Sequence, residues 1–425
     1  MYRKTIYKTI ITILTLCLLN IHADGQKVKT GIDILEENGF KEVSGKKIGL
    51  VTNPTGVDRY LNSTIDILYN APNVTLAALF GPEHGVRGNA HAGEKVSDKG
   101  KDPYTGVPIY SLYGKSRLPS NESLKGLDAI VYDIQDIGCR SYTYISTMGN
   151  VMKVAALEGI EMIILDRPNP LGGNKIEGPV VEEELISFVG QYQIPYIYGL
   201  TCGELATLLN EEGLLKIKGK HSQDSIVKCK LTIVKMEGWE RDMSWKECGL
   251  NWVPTSPHIP TPEAAYLYPS TGILGEIGSV SIGVGYTLPF QMIAYPGIDA
   301  EEFARAMNSL SLEGLTFRPI YATPFYGGYK GKELGGIQIF ITDFYRANLT
   351  VVQFYAMQIL HTMIPDFDPL GNADATKLNM FDKVVGNSQI RELFQKRYRF
   401  EDIEHLWDFD AQAFKKVASK YYLYQ

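Results

Sequence analysis

The apolar positions of this chain fall in short solid runs with amphipathic stretches between them. Residues 47–52 (KIGLVT), 74–80, 107–112, 129–133 (AIVYD), 161–166 (EMIILD) and 231–236 are such runs. Runs like AIVYD are apolar at successive positions, as strands buried on both faces of a parallel sheet are. Between the runs the spacing becomes helical. Val57, Leu61, Ile65 and Leu68 predict a helix over 57–69, and Leu124 and Leu127 a short one. Met148, Val151, Val154 and Ala155 predict another over 147–158. Strand alternating with helix predicts an α/β fold, a parallel sheet covered on both faces.

Further along the rhythm loosens. Residues 201–210 open with Thr201 and carry Glu204 three positions on, the spacing of a capping box. Residues 252–262 (WVPTSPHIPTP) predict an ordered, non-helical crossing between domains. Beyond it, 301–310 and 351–364 have helical spacing and 335–342 (GGIQIFIT) alternates like a strand. A length of 425 residues allows two or three domains. The change of rhythm places a boundary near Pro269, giving 26–269 and a smaller second domain, 270–425.

In a parallel sheet the loops after the strands emerge at one edge, where ligands bind. After 74–80 comes GPEHGVRG, with Glu83, His84 and Arg87 among glycines that allow close backbone approach. The next buried strand leads into Asp133, Asp136, Arg140 and Tyr142, and the one after it into Asp166, Arg167 and Asn169. These residues predict a shared site at the carboxyl edge. Asp and Asn at loop starts also cap and brace turns, so a structural role stays open for each. Ser256 and His258 invite a nucleophile–base reading, hence an esterase or amidase, but the GxSxG elbow is absent. The glycine-rich GSVSIGVG matches neither a phosphate-binding loop nor a dinucleotide fingerprint, which argues against a nucleotide enzyme.

Charge and composition narrow the partners. The net charge is −6 and no basic run stands outside the N-terminus, which argues against nucleic acid. The first 25 residues read as a secretory signal peptide: Arg3, Lys4 and Lys8 precede an apolar stretch, 10–21, that is short for a membrane span. The expectation is therefore export to the periplasm or beyond, with no stable membrane insertion. Cys139, Cys202, Cys229 and Cys248 lack metal-binding spacing and read as small buried residues. Export would permit a bridge, and Cys229–Cys248 is the candidate pair.

The succession GLVTNPTGV, LFGPEHGVRG, AGEKVSD, VYDIQDIGCRSYTYI, LDRPNPLGG and EGPV closely resembles the bacterial exo-β-N-acetylmuramidase family, long catalogued as a domain of unknown function. The resemblance covers the chain past its leader. It implies a Rossmann-like N-terminal domain, a smaller C-terminal α/β domain and an active cleft between them. It also implies release of N-acetylmuramic acid from the non-reducing end of peptidoglycan fragments, with no metal or organic cofactor. Substrates would be peptidoglycan-derived disaccharides or muropeptides. Matched to the family's motifs, Glu83 is the leading catalytic candidate. His84, Arg140, Tyr142, Asp166, Arg167 and Asn169 would line the sugar site. The chain departs from the pattern at 275–287, where Ile282 and Val284 replace an acid and an arginine, and at His258, which replaces an asparagine. These changes imply a subgroup with its own substrate preference, and keep open a binding module that holds cell-wall sugars without turnover.

Glycoside cleavage needs an acid for the leaving oxygen and a group that stabilises the oxocarbenium-like centre. Glu83 fits the first role. Asp133, Asp136 and Asp166 are candidates for the second, as is the substrate's own acetamido carbonyl. The lactyl carboxylate of muramic acid calls for a cation, with Arg140, Arg167 and Arg87 as candidates.

Overall fold

The computed structural model describes residues 28–88, 100–114, 117–218 and 224–425. The leader and the AGEKVSD motif lie outside the described residues. The N-terminal half builds around strands β1 (Lys47–Thr52), β2 (Thr75–Gly81), β3 (Gly100–Lys101), β4 (Pro108–Ser111), β5 (Ala129–Asp133) and β6 (Glu161–Leu165). A small ribbon, β7 (Lys216–Lys218) and β8 (Asp224–Ile226), precedes β9 (Leu231–Val234). Seven of these form one sheet in the order β3-β4-β2-β1-β5-β6-β9, parallel except for β3 against β4. Every residue of β5 and β6 is buried. In β5, Ile130 and Tyr132 enter one core with Phe80, Met148 and Leu205, while Ala129 and Val131 enter the other with Leu50, Leu79 and Ile163. This two-sided burial is the cause of the unbroken apolar runs in the sequence.

Helices α1 (Gly31–Glu37), α2 (Thr64–Asn70), α3 (Asn121–Leu124), α4 (Tyr144–Glu158) and α5 (Cys202–Glu211) cover the sheet. The capping box expected at Thr201 and Glu204 is present. The helix expected over 57–69 begins only at Thr64, because Ser63 caps it through the backbone N–H of Ile65. Ahead of it, the Asp58 carboxylate accepts from the N–H groups of Tyr60 and Asn62, and Leu61 takes a left-handed φ of 69°. That side chain-to-backbone turn competes with helix and wins over the apolar spacing.

The C-terminal half contains α6 (Pro262–Ile277), β10 (Met292–Tyr295), α7 (Ala300–Ser309), β11 (Leu315–Ala322), β12 (Leu334–Ile341), α8 (Val352–Met363), α9 (Ala375–Val385), α10 (Ser388–Gln395), α11 (Glu404–Trp407) and α12 (Ala411–Ala418). Its antiparallel sheet has the order β10-β12-β11. Strand β11 escaped the sequence reading because Pro319 and Arg318 interrupt its pattern; it lies at the sheet edge, where proline is tolerated.

Pro269 lies inside α6. The buried Gln353 side chain bridges the ladder there. Its amide donates to the Pro269 carbonyl at 2.9 Å, and its carbonyl accepts from Ile273 N–H at 3.0 Å. A side chain thus replaces one turn of the helix's own bonding, which lets a proline-bearing helix persist. The halves also share a core, in which Ile137, Cys139 and Tyr196 pack with Ile273, Phe354 and Trp407.

The last residues return to the first domain. Phe414 and Ala418 of α12 pack in the core of the N-terminal sheet. Beyond them, Tyr424 donates to Asp166 at 2.6 Å, Leu423 N–H to Glu204 at 2.9 Å, and Arg241 N–H to the Gln425 carbonyl at 2.7 Å. Cys139, Cys202, Cys229 and Cys248 are free and buried. Cys229 packs beside α5 and Cys248 in a separate cluster with Val28 and Trp239, so the considered bridge is not formed. Among the described residues no helix is long and apolar enough to cross a membrane.

Candidate active site

Strand β2 ends at Gly81, and the turn Pro82–Gly85 closes with Gly85 N–H donating to the Pro82 carbonyl. A Cβ on Gly81 would sit 3.2 Å from Gly85 Cα, so the glycine permits the tight return. His84 is buried with a φ of 74°, a left-handed conformation that a non-glycine residue adopts at a cost. That kink points the half-buried Glu83 into a cavity of about 580 Å³ between the two halves of the chain.

The cavity is assembled from distant segments. Glu83 and His84 come from the β2 loop, Tyr113 and Arg117 from the segment after β4, and Tyr142 and Tyr144 from the start of α4. Ser256 comes from the proline-rich crossing, Tyr268 and Glu276 from α6, and Lys383 from α9. Burial, and then the Glu83 carboxylate to which it is hydrogen-bonded, pushes the Tyr113 phenol above its usual pKa. Burial raises the Tyr142 and Tyr144 phenols well out of the physiological range, so both remain neutral donors. Tyr142 donates to Thr255 Oγ1 at 2.8 Å and Tyr144 to the Thr255 carbonyl at 2.6 Å, which fixes both rings against the crossing. Burial raises the Glu276 carboxyl as well. The Arg117 guanidinium lies 3.9 Å from the centroid of the Phe188 ring, held in the wall by cation–π attraction. Burial, and then the proximity of His84, lowers the pKa of His258.

Of the residues singled out in the sequence, Glu83, His84 and Tyr142 meet in this cavity, with His258 beside His84. The rest are placed otherwise. Arg140 is wholly buried, and its guanidinium donates to the carbonyls of Pro179, Ile194, Val384 and Val385 at 2.6–2.9 Å. It fastens α9 to the first domain, and the expected ligand clamp there gives way to an interdomain anchor. Asp133 and Arg167 form a buried pair, with Nη2 to Oδ2 at 2.9 Å, and Arg167 also holds the Val57 carbonyl at 2.7 Å. Asp166 accepts from Thr201 Oγ1, Gly203 N–H and Tyr424 and has no exposed surface. Burial pushes its pKa up to about 6 despite those bonds. Asp136, likewise buried, is pushed up to about 6 and accepts from Tyr198 and Gly138 N–H. Asn169 braces its own loop through Leu171 N–H and the Leu200 carbonyl. Arg87 pairs with Asp102 and Asp66. Each acid or base at these loop starts is engaged by neighbouring protein groups, the bracing role that Asp and Asn also take, with Asp136 Oδ1 and Arg140 Nε left without a partner among the described residues.

Ser256 meets the Tyr142 phenol, whereas His258 stacks on Tyr326 at a centroid distance of 6.1 Å, so the two do not form the nucleophile–base pair considered from sequence. Tyr113, Arg117, Tyr268, Glu276 and Lys383 carry no local signature, since each reaches the cavity only through tertiary packing, the last three across the two halves. Among the described residues no group of three or more His, Cys, Asp or Glu is placed to hold a metal ion.

Two family models match nearly the whole chain. They are the N-terminal domain of exo-beta-N-acetylmuramidase NamZ over residues 48–263 and its C-terminal domain over residues 266–424. The division between them falls at the start of α6, a few residues before Pro269. The chain is 42% identical over 406 residues to the peptidoglycan beta-N-acetylmuramidase NamZ of Bacillus subtilis, covering 95% of this chain and 93% of that protein. A crystal structure of a DUF1343 family protein from Bacteroides fragilis superposes with a TM-score of 0.88 at 53% identity, covering 94% of this chain and 99% of that one. A second from the same organism gives 0.72 at 28% identity with the same coverage. With both domains matched and the relatives aligned along nearly their full length, the chain belongs to the exo-β-N-acetylmuramidase NamZ family.

Proposed function

We propose that this protein is an exo-acting β-N-acetylmuramidase that releases N-acetylmuramic acid from the non-reducing end of peptidoglycan fragments, with Glu83 as general acid. One observation carries the assignment of the acid: Glu83 is aimed by a strained turn into the cavity that both domains line. Among the described residues, the carboxylates that line this cavity are Glu83 and Glu276. Glu83 protonates the leaving oxygen and then accepts a proton from the incoming water. Asp133 and Asp166 are occupied elsewhere, so the oxocarbenium-like centre is stabilised by Glu276 or by the substrate's own acetamido carbonyl. A 2-deoxy analogue separates these two routes. Arg117 and Lys383 supply the cations for the lactyl carboxylate in place of Arg140 and Arg167. Tyr142 and Tyr144, their protons given to Thr255, turn phenol oxygens that accept from sugar hydroxyls.

The test is Glu83→Gln, which keeps the shape but has no carboxylic proton to give. Turnover of a disaccharide with a poor leaving group should fall by about 10²–10⁴-fold, with melting temperature unchanged. An activated aryl muramoside needs less protonation and should lose less. Residual activity above roughly a tenth of wild type on the poor leaving group would remove Glu83 from the role. A wild-type protein that binds muropeptides without cleaving either substrate would instead be the sugar-holding module. The basic and then apolar leader supports export to the periplasm or outside the cell, where peptidoglycan fragments are met. N-terminal sequencing of the mature protein checks this, with cleavage expected near residue 25.

A further inference from the structure

A second cavity, of about 690 Å³, lies on the C-terminal domain and is walled by Tyr286, Tyr321, Phe325 and Glu333. Tyr321, Phe325 and the adjacent Tyr326 are 65%, 64% and 50% exposed, a dense group of uncovered rings for one short stretch of chain. The stretch is firmly built. Phe325 N–H donates to the Gly285 carbonyl at 2.7 Å, and Gly331 N–H to the Pro324 carbonyl at 2.9 Å. Tyr286 stacks on Phe325 with centroids 5.8 Å apart. Gly285 has a φ of 95°, and a Cβ there would lie 2.2 Å from the Tyr326 carbonyl oxygen. Thus Gly285, within the 275–287 segment that departs from the family pattern, seats the aromatic loop.

A chain of contacts links this groove to the Glu83 cavity. Ser256 lines that cavity, and His258, two residues on, lies near His84 and stacks on Tyr326. Phe325, the next residue along, lines the groove. The two spaces differ in charge. The Glu83 cavity sets the cations Arg117 and Lys383 beside the carboxyls of Glu83 and Glu276, whereas the described lining of the groove holds Glu333 and neither Lys, Arg nor His. An anionic sugar is favoured in the first and a neutral one in the second. We propose that the groove is a leaving-side subsite that holds neutral N-acetylglucosamine units, their C–H faces on Phe325 and Tyr321 and a hydroxyl on Glu333. The inference rests on the muramidase reading, since an exo cut behind a terminal muramic acid leaves such a sugar on that side.

The test is calorimetric titration of the whole protein with tri-N-acetylglucosamine, a neutral probe without the lactyl carboxylate. Wild type should bind it. Phe325→Ala and Tyr321→Ala should each weaken binding by about tenfold with melting temperature unchanged, while Phe325→Tyr, which keeps the ring, should retain it. Absence of binding by wild type, or unchanged affinity in both alanine variants, would overturn the subsite. So would a wild-type dimer that both alanine variants convert to monomer, since a second copy would then cover the rings. Hydrolysis of an aryl muramoside by the same wild-type preparation reports separately on the enzymatic reading: binding without hydrolysis removes the muramidase and leaves the groove, and hydrolysis without binding does the reverse.

Discussion

Replacing Arg140 should unfold the protein more readily without altering which sugar it recognises. The guanidinium makes four hydrogen bonds to main-chain carbonyls, two on the first domain (Pro179, Ile194) and two at the end of α9 (Val384, Val385). Burial lowers its pKa to about 10, so it remains charged at neutral pH. Arg140→Ala removes a buried charge together with its desolvation cost, but strands four carbonyls and opens a void. Breaking a buried charged network from one side typically costs about 3–5 kcal/mol. For a chain of this size that corresponds to a fall in melting temperature of roughly 4–6 °C. Arg140→Lys should recover only part of this, because an ammonium offers three donors from a single atom and cannot span both pairs of carbonyls. The assay is thermal denaturation beside kinetics on a muramoside and its N-acetylglucosaminide analogue. An unchanged melting temperature with a selective rise in KM for the muramoside would refute the anchor and return Arg140 to the ligand.

Three further outcomes follow. Lys383→Met and Arg117→Met should weaken binding of the muramoside about tenfold to a hundredfold relative to the N-acetylglucosaminide, the loss expected for a charge-assisted bond; equal losses on both would place these cations outside the lactyl contact. Glu276→Gln should slow turnover of both leaving-group classes alike, unlike Glu83→Gln, and an unchanged rate would assign the second role to the substrate's acetamido group. The Asp136 pKa is raised to about 6 in the fold, so its favourable contribution is complete below the unfolded carboxylate pKa and is lost as pH rises through about 6. Urea denaturation should therefore show Asp136→Asn gaining stability relative to wild type between about pH 4 and pH 7, on the order of 2 kcal/mol, and a flat difference would remove the effect.

The sheet and the catalytic loop were legible for one reason: both are local. Buried strands such as 129–133 write their two-sided burial into consecutive residues, and the glycines around Glu83 mark a turn that must be tight. The residues around the ligand were read less well. Asp133, Asp166, Arg140 and Arg167 sit at the expected edge, yet each is consumed by the protein's own groups, and an ion pair between residues 133 and 167 leaves no trace in spacing. Glu276 and Lys383 stand on two helices of the other domain and become neighbours only when α6 and α9 pack. Pro269 misled for the same reason, since the Gln353 side chain that repairs its helix lies 84 positions away.

The returning C-terminal segment bears on when the first domain can mature. A ribosome delivers the sheet strands early, but Phe414, Ala418 and Tyr424, which complete its packing and cap Asp166, are delivered after the whole second domain's sheet. Domains made first ordinarily fold first. Here the early half is left with an open flank and an uncovered buried carboxylate until residues 411–424 have been made and have packed back onto it.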